Sequence, residues 1–392
     1  MQVFLVGGAV RDALLGLPIK DKDFVVVGAT PEQLLSAGFT QVGADFPVFL
    51  HPVTHHEYAL ARLERKSGSK HTDFTVQFSP SVTLADDLSR RDLTINALAI
   101  EVVGLFDDTP ITQEVVDYHG GLDDLRHKRL RHVSQAFCED PLRILRAVRF
   151  LARFKHLGFR LHQDTLALMQ QMAQAGELSH LSRERLWAES VKAMEADTGD
   201  IYWQSLKTLN ILPHFLKELD DCWQDELIFK KVIERLTLAK KCNMAVQFAI
   251  LCSGYLENNE LNKALIKQIA HQLNASKHPV HIANLLTDFY DIFNQTPKAV
   301  DIINLIEKTK AHQGNRQILD DTLTAIFLMK QDTGDGYSHA VKLLDAAITI
   351  YKNISIKDID ENLTGKEIGL ALHQLRIKQI QQRLNETPIH DQ

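Results

Sequence analysis

Asp21 and Asp23 stand at alternate positions where the apolar run Phe24–Val27 begins. Alternate positions of a strand face one side, so this spacing brings two carboxylates into one space. Like charges held together are unfavourable unless a cation lies between them. Upstream, an apolar run ends in Gly7-Gly8, and Arg11 follows three residues later. Glycines after a strand let backbone N–H groups approach a phosphate, and arginine offers its oxygens a planar fork. A carboxylate pair beside phosphate donors suits Mg²⁺, which shares its shell with substrate phosphates. Phosphoryl or nucleotidyl transfer is the chemistry that needs this set. Taken alone, Asp-Lys-Asp is also an ordinary soluble turn between a helix and a strand.

Three further stretches carry candidate groups. In ADDLSRRDLTINALAI, Ala85–Ile100, Arg91 is placed to hold a triphosphate and Asn96 to anchor a backbone or sugar contact. The same residues also read as one exposed helix face. In EYALARLERKSG, Glu57–Gly68, the alternating start reads as a strand. Glu57 is then a candidate third carboxylate, or simply an edge-strand glutamate, and Arg65, Lys66, Ser67 and Gly68 read as a mobile basic loop. In EDPLRILRAVRFLARF, Glu139–Phe154, Asp140 and Pro141 open a helix as cap and first turn. Arg143, Arg146, Arg149 and Arg153 then share a face roughly 120° wide. From Pro141 to Gln163 there are six Lys or Arg and no Asp or Glu. A solvated basic face usually interleaves acids, so these arginines expect an anionic partner.

The elements that must position these groups change character near residue 138. Before it lie short β-branched runs separated by turns, an α+β pattern; after it the sequence is helical almost to its end. Loops are expected near Gly158, Asp197-Thr198-Gly199, Asn258-Asn259 and Gly334-Asp335-Gly336. At 392 residues the chain should form more than one domain. Its four cysteines lack a C-x-x-C spacing, which points to neither zinc nor a disulfide framework. The start has no basic region or apolar signal core, and no apolar run reaches the roughly 20 residues that span a bilayer. A cytoplasmic protein without membrane contact is expected. The net charge of −6 does not by itself announce a nucleic-acid binder, but charge is unevenly placed.

Together these residues resemble the class II CCA-adding enzymes, tRNA nucleotidyltransferases, of the γ-proteobacterial type. Gly7-Gly8-x-x-Arg11-Asp12 with Asp21-x-Asp23 is similar to that family's first signature, and Arg90-Arg91-Asp92-x-x-x-Asn96-Ala97 to its second. Glu139-Asp140-x-x-Arg143-x-x-Arg146-x-x-Arg149-Phe150 is similar to its nucleotide-selecting motif. LSRERLWAE, Leu181–Glu189, resembles the motif that props that helix, and GKEIGLALHQLR, Gly365–Arg376, the family's C-terminal stretch. The likeness is dense over about residues 1–190.

The resemblance implies a polymerase-β-like head (1–138), a nucleotide-selecting neck (139–200), a body (201–290) and a tRNA-binding tail (291–392), the last three helical. It implies template-independent addition of CCA to tRNA from CTP and ATP. Asp21 and Asp23 would bind Mg²⁺; Gly8, Arg11 and Arg91 would hold the triphosphate. Asp140 and Arg143 would read the base, with Arg146 and Arg149 completing the contacts. Oligomeric state, monomer or dimer, is carried by no motif. Relatives have a His-Asp phosphohydrolase motif mid-chain. Here QFAILCSGYLE, Gln247–Glu257, puts Ser253 and Gly254 in those places, so that activity is expected to be absent. His271, His278 and His281 downstream read as core or surface residues. A partial CC- or A-only adder and a poly(A) polymerase remain alternatives. VGADFPVFLHP and the lack of a long basic tail speak against the polymerase. A non-enzymatic nucleotide- or RNA-binding protein would be expected to have lost Asp21 or Asp23.

Overall fold

The computed structural model describes residues 1–42, 48–66, 74–105, 114–332 and 334–386. Two compact units divide the chain: Met1–Glu189 with Thr208–Phe215, and Ser190–Lys207 with Leu216–Gln392. Residues 139–189, read from sequence as neck, therefore belong with the head.

In the first unit, β1 (Gln2–Val6), β2 (Asp23–Val27), β3 (Thr40–Val42), β4 (Val48–Leu50), β5 (Glu57–Leu60), β8 (Leu98–Val102) and β9 (Val115–Asp117) form one mixed sheet, with β6 (Arg62–Lys66) and β7 (Phe74–Phe78) as a separate hairpin. The sheet order is β3-β4-β5-β2-β1-β8-β9, and only β2 and β5 run parallel. The unbroken apolar runs of β1 and β2 are explained by their central place, buried on both faces. Helices α1 (Gly8–Leu14), α2 (Pro31–Ser36), α3 (Leu84–Ser89), α4 (Gly121–Arg126), α5 (Leu142–Phe154) and α6 (Gln163–Gln174) complete this unit, and the division falls within α7 (Arg183–Glu195). On one sheet face Phe4, Val6, Val25, Ala97 and Ala99 pack against Leu84 and Leu88 of α3. On the other, Phe24 stacks on Tyr58 at 4.4 Å, and Phe39 meets Tyr58 edge-on at 5.0 Å.

The second unit is all helical: α8 (Gly199–Thr208, its last residue in the first unit), α9 (Lys217–Cys222), α10 (Glu226–Ala239), α11 (Met244–Leu251), α12 (Asn259–Leu273), α13 (Lys277–Phe289), α14 (Ala299–Lys308), α15 (Gln317–Lys330), α16 (Asp335–Asn353) and α17 (Lys366–Glu386). Every residue from Ala245 to Leu251 is buried, so α11 is a central helix packed against α10, α13 and α15. None of the described helices is long and apolar enough to cross a membrane.

Three local expectations change. Arg65 and Lys66 lie in β6, not in a loop, and Ser67 and Gly68 fall outside the described residues, as do Gly43–Pro47. The 85–100 stretch is not one helix face: α3 ends at Ser89, a 3₁₀ turn covers Thr94–Asn96 and β8 follows. Burial of Leu93 and Ile95, both 0 % exposed, pulls the chain inward there. Asp21 precedes β2, which starts at Asp23.

Candidate active site

The catalytic candidates gather at one end of the central strands. In the parallel register Asp23 of β2 lies beside Glu57 of β5, and in the antiparallel one it faces Val6 of β1. Neighbouring strands are about 4.8 Å apart and paired residues share a face, so the two carboxylates stand side by side. A cleft of ≈ 200 Å³ opens over them, lined also by Val48, Arg62, Arg90 and Arg91. Partial burial raises the Asp23 carboxyl above its ordinary range; Arg91 opposes the rise and Asp21 adds to it. The structure thus brings Asp23, Glu57 and Arg91 together and sets Asp21 within electrostatic reach.

The cations over this cleft are held from behind by a residue that the sequence reading passed over. Asp87 of α3, fully buried, accepts from Arg90 at 2.7 Å and from Arg91 at 3.2 Å. The two arginines outweigh the cost of burial and keep its carboxyl below the usual range. The signal was present: an acid three and four residues before an arginine pair on a helix end. Gly7 has φ +71°, and a Cβ there would lie 2.9 Å from Nη1 of Arg91, so glycine is required for that guanidinium to pass. Gly8 starts α1, whose first-turn N–H groups have no intrahelical acceptor.

Arg11 is placed differently from the expectation. It is 2 % exposed, and its guanidinium donates to Asp12 at 2.7–2.8 Å and to Asn96 Oδ1. It lies between the rings of Phe150 and Phe154 of α5, 5.1 and 5.0 Å from their centroids. The guanidinium is therefore turned away from any phosphate and braces α1 against α5. Arg146 reaches Asp92 at 2.8 Å, Arg149 reaches Glu189 at 2.7 Å and Arg153 reaches Asp12 at 2.8 Å. The expectation that these arginines lack acids is corrected: the acids come from distant segments. Asp92 also accepts from Asn96 at 2.9 Å. The path Arg146–Asp92–Asn96–Arg11–Asp12–Arg153 thus ties both ends of α5 to the head.

At the start of α5, Asp140 accepts from the Leu142 N–H at 3.1 Å and from Arg185 at 2.7 Å. Arg143, 8 % exposed, donates to the Ala136 carbonyl at 2.7 Å. Arg185 and Glu189, both on α7, hold Asp140 and Arg149 respectively.

Residues 3–131 match the family described as "Poly A polymerase head domain", and residues 158–222 match "Probable RNA and SrmB-binding site of polymerase A". Helix α5 lies between the two matched segments. Among solved structures, the chain is similar to the Bacillus stearothermophilus CCA-adding enzyme in complex with CTP (TM-score 0.69, 21 % identity, covering 97 % of this chain and 89 % of that one). It is similar to a CCA-adding enzyme in complex with ATP (TM-score 0.63, 21 % identity, 100 % and 91 %). The Thermotoga maritima CCA-adding enzyme complexed with tRNA is similar too (TM-score 0.58, 19 % identity, 100 % and 88 %). This is the fold of the CCA-adding enzymes. Its head is a poly A polymerase head domain.

Within the head domain, the donor set at the cleft fits a hard divalent cation. Among the described residues no three His, Cys, Asp or Glu enclose a metal by themselves. Two strand carboxylates on an open cleft, with like-charge crowding at Asp23, match an ion that completes its shell with substrate oxygens.

The link between head domain and α5 is acid-sensitive. Burial alone would raise the Asp92 carboxyl, but Arg146 and the hydrogen bonds from Asn96 and Leu93 bring it down to about 2. A carboxylate depressed in the folded state contributes stability above its unfolded pKa, and loses it as pH falls toward the folded value. About 2 kcal/mol should therefore disappear between pH ~4 and ~2. Asp92→Asn should remove this part of the pH dependence of the urea midpoint. An unchanged slope in the variant would contradict the assignment.

Proposed function

We propose that the chain adds and repairs the 3′-terminal CCA of tRNA from CTP and ATP, by Mg²⁺-dependent nucleotidyl transfer to the tRNA 3′-hydroxyl. The observation that carries this is Asp23 and Glu57 in register under Arg91, in a head domain whose second motif is bonded to the arginine helix. Asp21 and Asp23, with Glu57 beside them, would hold Mg²⁺, which when bound acidifies the attacking hydroxyl and neutralises charge on the α-phosphate. Arg91, aimed by Asp87, takes the triphosphate together with the first-turn N–H groups at Gly8. Arg146 and Arg149 fix the rotation of α5 through Asp92 and Glu189, and so place Asp140 and Arg143 against the incoming base.

Base choice follows from donor and acceptor order. Cytosine N4 and adenine N6 donate beside a ring-nitrogen acceptor, matching a carboxylate followed by a guanidinium. Uracil and guanine invert the order, and each opposed buried pair costs about 1–3 kcal/mol. Each Asp140 oxygen has two lone pairs, so accepting from Leu142 and Arg185 leaves acceptor capacity for a base. Asp140→Asn keeps the helix cap but loses the carboxylate. Its single-turnover discrimination against UTP should fall roughly 10- to 100-fold, equivalent to about 1.4–2.7 kcal/mol. Unchanged discrimination would mean that Asp140 only caps the helix.

The activity is tested with tRNA ending at the discriminator base, Mg²⁺ and each labelled NTP singly. CTP alone should add two residues, with ATP entering only afterwards. A partial adder would stop at CC, or would accept only A on a CC end.

A further inference from the structure

The helical second unit encloses a cavity of ≈ 480 Å³ between α10, the loop after α11 and the C-terminal ends of α13 and α15. We infer that this cavity is a second ligand site, for a phosphate-bearing small molecule of mononucleotide size. Lys231 and Arg235, four residues apart on α10, and Lys330, in the last turn of α15, all line it. Among the described residues none of the three is closed into an ion pair, whereas Lys207, Lys308 and Arg316 of the same unit all are. Like charges one helical turn apart repel each other, and an anion between them reverses the sign. Nε of Arg235 is buried without a hydrogen-bond partner. Burial lowers the pKa of both Arg235 and Lys330, as expected of cations held out of water without a counter-charge in contact.

The wall opposite is built rather than incidental. The Ser253 hydroxyl donates to the Ile250 carbonyl at 2.7 Å. A Cβ on Gly254 would lie 2.3 Å from Cys222 Sγ, so the backbone there is packed directly onto that thiol. Asp225 caps α10 through the Leu227 N–H at 2.8 Å, while Glu257, also on the lining, suits a sugar hydroxyl or an amino donor. Tyr290 adds an aromatic surface. The volume lies within the range of small-molecule pockets, about 300–1,000 Å³, and the concave shape favours a compact ligand over a nucleic-acid backbone.

Equilibrium dialysis of the full chain with labelled CMP or AMP tests the inference, with inorganic phosphate in a separate arm. Two sites per chain are expected. One should survive Arg91→Ala and weaken about tenfold or more in a Lys231→Ala/Arg235→Ala double variant, the loss of charge-assisted contacts. Both positions lie on a helix, where alanine is the best former, so folding should persist, and C addition should be unchanged. Lys330→Gln should weaken the same site independently. If phosphate binds as tightly as CMP, the site reads phosphate alone. Mononucleotide binding unaffected by the double variant would overturn the inference. So would a loss of tRNA affinity in that variant without any mononucleotide site.

Discussion

Asp21→Ala and Asp23→Ala should each lower C addition about 10³-fold or more while leaving the fold intact. Lewis-acid stabilisation by a bound metal is worth several kcal/mol, and each 1.36 kcal/mol is tenfold in rate. The stability side of this prediction has a definite sign. The Asp23 carboxyl is raised above its ordinary range, so its ionised form is less favourable in the folded chain than in the unfolded one at neutral pH. Its removal should therefore leave the melting temperature equal or higher. Wild-type C addition by either variant would sink the carboxylate assignment. A lowered melting temperature with proportionate loss of activity would make these residues structural.

The second large effect belongs to Arg11. As a triphosphate contact its removal would weaken every NTP alike and spare stability. Its observed place predicts the opposite. Burial lowers its pKa against the pull of Asp12, and the guanidinium bridges Asp12, Asn96 and the two phenylalanines of α5. Removing one partner of a buried ionic group costs about 3–5 kcal/mol. Arg11→Ala should therefore lower the denaturation midpoint by an amount of that order. Arg11→Lys, which cannot span both oxygen partners, should recover only part of it. A stable Arg11→Ala protein with KM raised equally for CTP and ATP would restore the phosphate role.

The strands and the arginine helix were legible because their signals are local: β-branched runs, and a cap followed by arginines at helical spacing. What decides the site was not local. Glu57 gains its position from a parallel pairing with β2 that no spacing reveals. The acids of the arginine helix lie 40, 54 and 141 residues away in sequence, so a window along the chain sees only unpaired cations. Arg11 misled for a related reason. Its spacing after two glycines suggests a phosphate cradle, but the cation–aromatic sandwich that captures it is supplied by α5. Asp87 was within reach of local reasoning, from its distance to Arg90 and Arg91.

Because the head matches a poly A polymerase domain and the whole chain has the CCA-adding fold, product sequence and length are the most direct test. tRNA ending at the discriminator base would be incubated with all four NTPs at equal concentration, and the extended 3′ ends sequenced over time. The account predicts CCA and then arrest. Continued runs of A, or incorporation of U or G at a rate comparable to C, would contradict it.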